Sequence, residues 1–264
     1  MNYADTHIHL EQYHYDQIEK LMAEAKAANV KYIVAVSMDL PSSQATYALA
    51  QRYRSTIMPA YGFHPEQPLP RAEELELLMQ WIRVRAAYKE RFAIGEVGLP
   101  YYRGLELLEQ GEQLDKQPYI ELLERFILLA KELDRPIVLH AVYEDAAVVC
   151  DLLQKHQMKR AHFHWFKGDA ATIDRMIEQG YFISITPDVC YEQEIQALVK
   201  RYPLELLMVE TDGPWPFEGE FHGRETESAM VVRVVEAIAD IVGRDVEEVA
   251  AQLYHNSNQF YRFE

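Results

Sequence analysis

Residues 3–9 of the chain read YADTHIH, a short β-rich run that ends in two histidines one residue apart. On a β-strand, successive side chains point to opposite faces, so Asp5, His7 and His9 are expected to share one face. Among 10 histidines in 264 residues, chance alone gives about 0.4 such pairs, so one pair is weak evidence for a metal site. A second pair occurs within AHFHWF at residues 161–166. The surrounding sequence must therefore decide what the pairs mean.

The run at 3–9 is the first of eight short β-rich runs that alternate with longer stretches of helical periodicity. In stretches such as 15–29, 118–133 and 170–179, apolar residues recur every three or four positions, which is typical of amphipathic helices. This alternation predicts right-handed βαβ units and a parallel sheet. Eight units fit a (β/α)₈ TIM barrel, which typically takes ~250 residues, and a doubly wound sheet is the alternative. The predicted strands are 3–9, 31–37, 56–62, 92–97, 136–140, 161–165, 181–185 and 205–211.

An additional C-terminal helix is predicted over 245–262. Asp245 would begin it as the N-cap, and Glu248 would complete a capping box. The sequence contains no internal repeat, low-complexity tract or Gly/Ser linker. We therefore expect a single barrel domain over residues 1–264.

The composition is that of an ordinary globular protein, with 49% hydrophobic and 26% charged residues. No apolar run approaches the roughly 18–20 residues of a membrane span, and the N-terminus lacks the features of a signal peptide. Cys150 and Cys190 are far apart in sequence and form no Cys-x-x-Cys motif, which argues against a disulfide framework. These features predict a cytoplasmic protein with no membrane association.

The net charge of −16 limits the partners that the protein can bind. Long nucleic acids are normally held by Lys and Arg side chains, whereas here 42 acidic residues oppose 26 basic ones. A broad basic surface is therefore not expected. Bound cations are often the largest local charges, so a metal site could still attract a single phosphate group.

Seven imidazole or carboxylate side chains fall at or just beyond the ends of predicted strands. In a (β/α)₈ barrel the loops after the strands form the active face, so these side chains are expected to meet at one mouth. Such ligands suit Zn²⁺, Mn²⁺, Fe²⁺ or Co²⁺, while Mg²⁺ usually prefers oxygen. The residues are His7 and His9 at the end of strand one, His64 just beyond strand three, Glu96 at the end of strand four, His140 at the end of strand five, His164 at the end of strand six and Asp212 at the end of strand eight.

The motifs that contain these residues are DTHIHL, GFHPE, AIGEVGL, LAKELDRPIVLHA, HFHWF and VETDGPW, and a further motif, HNSNQFYRF, lies at 255–263. Together they resemble the TatD family of metal-dependent hydrolases, nearly from end to end. The resemblance implies a TIM-type barrel with two metal ions and, in the best-known members, deoxyribonuclease activity. It further implies that one ion is held by His7, His9 and Asp212. The second would be held by His140 and His164, with Glu96 bridging both.

The chemistry of such a site agrees with hydrolysis. Two cations roughly 3.5–4 Å apart can bind the attacking and leaving oxygens of a phosphoryl displacement, and coordination lowers the pKa of water toward about 7. Asp212 is predicted to take or shuttle the proton, although an Asp before Gly213-Pro214 also fits a turn-forming residue. His64 is predicted to contact the substrate. We therefore predict catalytic roles for Asp212, Glu96 and His64.

Other residues near the strand ends are predicted to support the site. His162 is expected one layer deeper than His164, where it would orient a ligand, and Asp5 and Glu210 are interpreted in the same way. Four aromatic residues at the mouth could stack on a base or pack as a lid. They are Tyr101, Tyr102, Trp165 and Trp215.

The sequence departs from the family at positions that commonly hold phosphate. The segment resembling R-G-K-R-N-E-P reads HGRETES at residues 222–228, with Glu225 where a cation is expected. Val142 stands where an Arg commonly follows the fifth-strand His, and Pro100 replaces the usual Asp. The predicted basic rim is therefore depleted, which makes DNA a poorer expected substrate.

Three functions remain open at this point. The leading hypothesis is a phosphodiesterase or deoxyribonuclease-like hydrolase that uses two divalent ions (Zn, Mn, Fe, Co or Mg) and cleaves DNA slowly relative to a small phosphodiester. The same barrel could instead hydrolyse a carboxylic ester, amide or lactone. A non-catalytic metal-binding protein is the third hypothesis, and the presence of all six predicted ligands argues against it. No obligate protein partner is predicted.

Overall fold

The computed structural model describes residues 1–263, and Glu264, the last residue of the predicted domain, lies outside them. Within this range eight strands form one sheet in the order β1 to β8, and each is parallel to the next. This order confirms the (β/α)₈ barrel over a doubly wound sheet, in which the strand order would reverse. The strands are β1 (Tyr3–Ile8), β2 (Val30–Ala35), β3 (Ile57–Tyr61), β4 (Ala93–Gly98), β5 (Ile137–His140), β6 (Ala161–Phe163), β7 (Phe182–Ile185) and β8 (Leu207–Val209).

Helices follow each strand, and two of them, rather than one, follow β4 and again β8. The helices are α1 (Tyr15–Ala27), α2 (Leu40–Arg52), α3 (Ala72–Ala87), α4 (Tyr101–Glu109), α5 (Gln117–Glu132), α6 (Glu144–Lys155), α7 (Ala170–Gln179), α8 (Gln193–Arg201), α9 (Val231–Val242) and α10 (Val246–Tyr261). Helix α10 is the predicted C-terminal helix, and Asp245 caps it by accepting from the N–H groups of Glu247 and Glu248. None of the helices in residues 1–263 is long and apolar enough to cross a membrane.

Apolar side chains pack on both faces of the barrel wall. On β2, Ile33 and Ala35 belong to the large cluster formed with the surrounding helices. Val34 belongs to a separate cluster that includes Tyr261 and Phe263. Because neighbouring strand residues point to opposite faces, this second cluster fills the barrel interior. The end of α10 and the residues after it therefore help to fill the barrel.

Strand β1 does not keep the regular alternation that its sequence suggests. Asp5 pairs with Ile33 and Ile8 pairs with Ala35, so β1 has one extra residue in this interval. Asp5 consequently points toward the helices, where its carboxylate accepts from Thr211 and Ser228. The prediction that Asp5 shares one face with His7 and His9 is therefore wrong.

The barrel closes between β8 and β1 mainly through the segment that follows β8. The N–H of Asp212 donates to the carbonyl of His7 at 2.9 Å, and the N–H of His9 donates to the carbonyl of Gly213 at 2.8 Å. The Thr6 hydroxyl adds a bond of 3.0 Å to the carbonyl of Val209. These bonds place the residues after β8 directly beside the end of β1.

Two glycines allow β3, β4 and β5 to approach one another closely at their carboxyl ends. A Cβ on Gly98 would lie 1.9 Å from the carbonyl oxygen of His140, and a Cβ on Gly62 would lie 2.7 Å from that of Glu96. Both distances are shorter than any ordinary contact, and both neighbours are backbone atoms. The glycines of AIGEVGL and GFHPE are thus required by the packing around the predicted ligands.

Replacing Gly98 with alanine is expected to lower the free energy of unfolding by about 1–3 kcal/mol, because β4 and β5 must separate to admit the methyl group. Chemical denaturation of the metal-free protein measures this change. Gly104→Ala is the control, since a Cβ there would meet Lys116 at an ordinary 3.5 Å. Equal unfolding midpoints for Gly98→Ala and the unmodified protein would contradict the predicted clash.

Candidate metal centre

The seven predicted side chains come together at the carboxyl end of the barrel. His7, Glu96 and His140 lie on strands, and the others lie in the loops that directly follow strands. All are buried or nearly so; the most exposed side chain, that of His64, is 12% exposed. The barrel geometry therefore brings residues that are far apart in sequence into one buried cluster.

Glu96 occupies the centre of this cluster. Its Oε2 atom lies 3.1 Å from His7 Nε2 and 3.2 Å from His9 Nε2. Its Oε1 atom lies 2.8 Å from His140 Nδ1 and 2.7 Å from His164 Nε2. One carboxylate oxygen thus faces the histidines of β1, and the other faces those of β5 and β6. This is the arrangement that a carboxylate between two ions requires.

Asp212 lies beside the first of these histidine pairs. Its Oδ1 atom is 3.3 Å from His7 Nε2 and 3.8 Å from His9 Nε2. Its backbone has a φ of 48°, and its carbonyl accepts from the N–H of Trp215 at 3.0 Å, as in a turn. The two interpretations of Asp212 are therefore compatible, since the turn directs its side chain toward the cluster.

Two groups of three side chains could each hold a cation. The potential ligand atoms of His7, His9 and Asp212 lie within 4.8 Å of one another, and so do those of Glu96, His140 and His164. His64 forms a further such group with His9 and Glu96, so it lies close enough to bind a cation itself. Two of these groups have the composition of the two ligand sets that the family resemblance implies, and His7, His164 and Glu210 form a fourth group.

Unpaired atoms in the cluster also fit a cation. Within residues 1–263, both ring nitrogens of His7 and the Oε2 atom of Glu96 are buried without a hydrogen-bond partner. His7 Nε2 and Glu96 Oε2 lie 3.1 Å apart, but they do not form a hydrogen bond with each other. Buried polar atoms are normally paired, and leaving one unpaired costs free energy. Imidazole nitrogen and carboxylate oxygen are ligands that first-row transition metals accept. The residues present therefore fit a divalent metal ion.

The pKa values of the acidic groups reflect their burial and the neighbouring imidazoles. Burial raises the pKa of Asp212 to about 7, although His164 and His9 oppose the shift. Burial acts in the same direction on Glu96, but His164, His64 and the other nearby imidazoles hold its pKa well below the ordinary value. Glu96 is therefore the permanent negative charge of the metal-free cluster.

The histidines differ in their tendency to hold a proton. Burial lowers the pKa of His7 well below its ordinary value. Burial also disfavours the charged form of His9, but its contacts with Glu11 and Glu96 raise its pKa to about 10. Because metal ligands must be neutral imidazoles, metal binding is expected to release protons from this cluster.

A chain of buried hydrogen bonds lies beneath the cluster. His162 contacts the Tyr261 hydroxyl at 2.7 Å through Nδ1 and the Ser184 hydroxyl at 2.6 Å through Nε2. Ser184 donates to Glu210, which also accepts from the N–H of Trp165 at 2.7 Å. His162 thus lies beneath the cluster but bonds to no predicted ligand; its link to His164 runs through Ser184 and Glu210, whose Oε1 atom lies 3.7 Å from His164 Nδ1. Ser184 and Tyr261 complete the chain and were not predicted.

A cavity of about 630 Å³ opens above the cluster. Tyr102, Trp165 and Trp215 contribute to its wall, as predicted for aromatic residues at the mouth. Tyr101 instead lies against the ring of Tyr143, with the ring centroids 5.0 Å apart. Trp215 is 57% exposed and so presents a ring surface beside the cavity.

The side chains that line the cavity carry both charges. Arg103 and Lys167 are the basic ones, and Glu66 and Glu106 lie among them in addition to Glu96 and Asp212, so the lining has few cations, as predicted. Val142 is buried, and Glu225 accepts from Gln17 on the surface, so neither of these positions lies where it could contact a substrate in the cavity. The departures from the family pattern at these two positions therefore say little about the substrate.

Sequence reasoning missed Glu66, Arg103 and Lys167. Glu66 ends the GFHPE motif, and its Oε1 atom lies 3.0 Å from His140 Nε2. Its position two residues after His64 was the available signal. Arg103 lies on α4, a helix that the sequence analysis did not predict, so the direction of its side chain could not be inferred.

Comparisons with known proteins agree on one family. A family model described as TatD related DNase matches residues 4–262. The chain is 40% identical over 258 residues to an uncharacterized metal-dependent hydrolase of Haemophilus influenzae, with 98% of each chain covered. It is 31% identical over 267 residues to human deoxyribonuclease TATDN3, with 98% of this chain and 94% of that one covered. The solved structure of YJJV, a TatD homolog from Escherichia coli, has a TM-score of 0.85 at 24% identity and covers 98% of both chains.

Proposed function

Because this chain belongs to the TatD family of metal-dependent hydrolases, we propose that it hydrolyses phosphodiester bonds with two divalent metal ions. The observation that supports this best is the position of Glu96 between two sets of ligands. His7, His9 and Asp212 would hold one ion, and His140 and His164 would hold the other. Bound divalent ions at such a site activate water and polarise a phosphoryl oxygen.

The protein's own residues supply the remaining functions. The carboxylate of Asp212 lies beside His7 and His9 and lines the cavity, so it is placed to accept a proton from an attacking water. His64 lines the cavity above Glu96 and would contact the substrate there. Arg103 and Lys167 would offset the negative charge of the phosphate. The exposed ring of Trp215 offers a surface on which a base can stack.

The volume of the cavity and the net charge of the protein favour a small substrate. A cavity of about 630 Å³ has the volume of a typical small-molecule site. The net charge of −16 repels a long polyanion beyond the contacts in the cavity. The human relative is named a deoxyribonuclease, which supports DNA as one candidate. We therefore propose that small phosphodiesters or DNA ends react faster than long DNA.

Metal analysis followed by parallel assays tests this function. The purified protein is expected to bind close to two divalent ions per chain. At fixed metal occupancy, it should hydrolyse a chromogenic phosphodiester faster than long single-stranded DNA. Moderate salt should then improve DNA cleavage by screening the repulsion, since the Debye length is roughly 10 Å at 0.1 M. Activity confined to a lactone or amide panel would instead favour carboxyl chemistry, and absence of stoichiometric metal binding would exclude the proposed site.

A further inference from the structure

A single carboxylate, that of Glu66, joins the metal centre to a helix at the mouth. Its Oε1 atom lies 3.0 Å from His140 Nε2 and accepts from the N–H of Tyr102 at 2.9 Å. Its Oε2 atom accepts from the N–H of Arg103 at 2.7 Å. The side chain is only 16% exposed. Glu66, which lies in the loop after β3, therefore contacts both strand β5 and helix α4.

The contacts with Tyr102 and Arg103 satisfy the beginning of helix α4. The first N–H groups of a helix have no partner within the helix, and a negative charge there is favourable. None of the residues of α4 is fully buried, although Tyr101 packs against the ring of Tyr143. Tyr102, Leu105 and Leu108 are between 42% and 65% exposed. Glu66 is thus one of a small set of contacts that hold the beginning of α4.

The contact with His140 orients a predicted metal ligand. His140 Nδ1 faces Glu96 at 2.8 Å and His164 Nε2 at 3.1 Å, whereas Nε2 faces Glu66. A histidine that binds a metal through one nitrogen usually donates its other N–H to a carboxylate or carbonyl. Glu66 is placed to accept this bond, which leaves Nδ1 free to face the other ligands.

Helix α4 also carries a cation with an unused donor. Arg103 lines the cavity, and its Nε atom is buried without a hydrogen-bond partner among residues 1–263. A buried donor without a partner is costly, and a guanidinium group is well suited to bind an anion. The position of Arg103 is set by the same first turn of α4 that Glu66 holds.

We propose that Glu66 is a positioning residue that couples metal binding at His140 and His164 to the docking of α4, which in turn places Arg103 to bind an anionic group of the substrate. The proposal rests on the proposed metal centre and deepens it. Because coupling between two equilibria is reciprocal, metal binding should stabilise the docked helix, and docking should strengthen metal binding. Binding of the substrate's anionic group and binding of the metal would then be linked through the side chain of Glu66.

The test compares Glu66→Ala and Glu66→Gln with Glu109→Gln, which removes a carboxylate from the exposed end of the same helix. Titration of metal-free protein with Mn²⁺ gives the affinities, and hydrogen exchange follows the amides of Tyr102 and Arg103. Glu66→Ala is expected to weaken one of the two metal sites by about 10–100-fold and to speed exchange at these amides. Glu66→Gln should do the same to a smaller extent, and Glu109→Gln should change neither.

A second arm tests Arg103 with inorganic phosphate bound to the metal-loaded protein. Arg103→Gln should weaken phosphate binding by about 10-fold without changing metal affinity, and Arg103→Lys should recover part of it. Glu66→Ala should weaken phosphate binding as well, even at saturating metal. Unchanged metal affinity and unchanged exchange in both Glu66 variants would overturn the coupling. Phosphate binding that is unaffected in Arg103→Gln would overturn the role of α4 in holding the anion.

These readouts separate the coupling from the proposed function. If the protein fails to hydrolyse any phosphodiester while Glu66→Ala still weakens metal binding and loosens α4, the proposed reaction fails and the coupling stands. Circular dichroism of each variant shows whether the barrel is folded. If Glu66→Ala fails to fold, the isosteric Glu66→Gln decides the outcome by the same two measurements.

Discussion

Glu96→Gln is expected to lower kcat by more than about 10²-fold, because it removes the negative charge that lies between the two ligand sets. The carboxylate oxygens face His7 and His9 on one side and His140 and His164 on the other. Glutamine has nearly the same shape but no charge, so it cannot offset the repulsion between two cations. The spacing of the two ligand sets would then no longer be fixed.

The measurement is steady-state hydrolysis of a small phosphodiester at saturating metal, together with the metal content per chain. Glu109→Gln serves as the control for loss of one carboxylate, since it lies on the exposed end of α4. We expect the glutamine variant at position 96 to hold less than two ions per chain. Near-normal turnover by this variant in excess metal would mean that the two ligand sets do not act together.

Asp212→Asn is expected to lower kcat by about 10²–10⁴-fold, the usual range for loss of a general acid or base. Asparagine can keep the turn with Trp215, because that bond involves only the backbone carbonyl of residue 212. It cannot accept a proton near neutral pH, and it is a weaker metal ligand. The loss should therefore be chemical rather than structural.

Measuring both the turnover and the free energy of unfolding of Asp212→Asn distinguishes a loss of catalysis from a loss of stability. Glu225→Gln is the matched control, since this exposed carboxylate contacts Gln17 outside the cavity. The ligand set of His140 and His164 should keep its metal in Asp212→Asn. A variant that retains full kcat with both ions bound would assign proton transfer to another group.

The sequence predicted that these residues come together, because their placement depends on strand ends. All eight strands were found, and the carboxyl ends of parallel strands necessarily meet at one mouth of a barrel. The predicted alternation of side chains along β1 is wrong at Asp5, because one extra residue in this strand turns the Asp5 side chain toward the helices. An irregular register of this kind leaves no clear mark in a strand-like sequence.

Contacts between segments that are far apart in the sequence were the second feature that could not be predicted. Glu66 reaches His140 and α4, and His162 reaches Tyr261, although nothing in their local sequence indicates these partners.

Cys150 and Cys190 are free thiols, in agreement with the sequence. The cytoplasmic location inferred from them stays a prediction.

The joint between β8 and β1 has a consequence for the stability of the whole barrel. It is held by a few bonds of Thr6, His7, His9 and the residues after β8, and the first ligand set lies across it. An ion bound by His7, His9 and Asp212 would cross-link the first and last strands, much as a disulfide bond closes a long loop. Removal of the metal should therefore weaken the barrel first along this line, while the hydrogen bonds between β1 and the residues after β8 keep it closed.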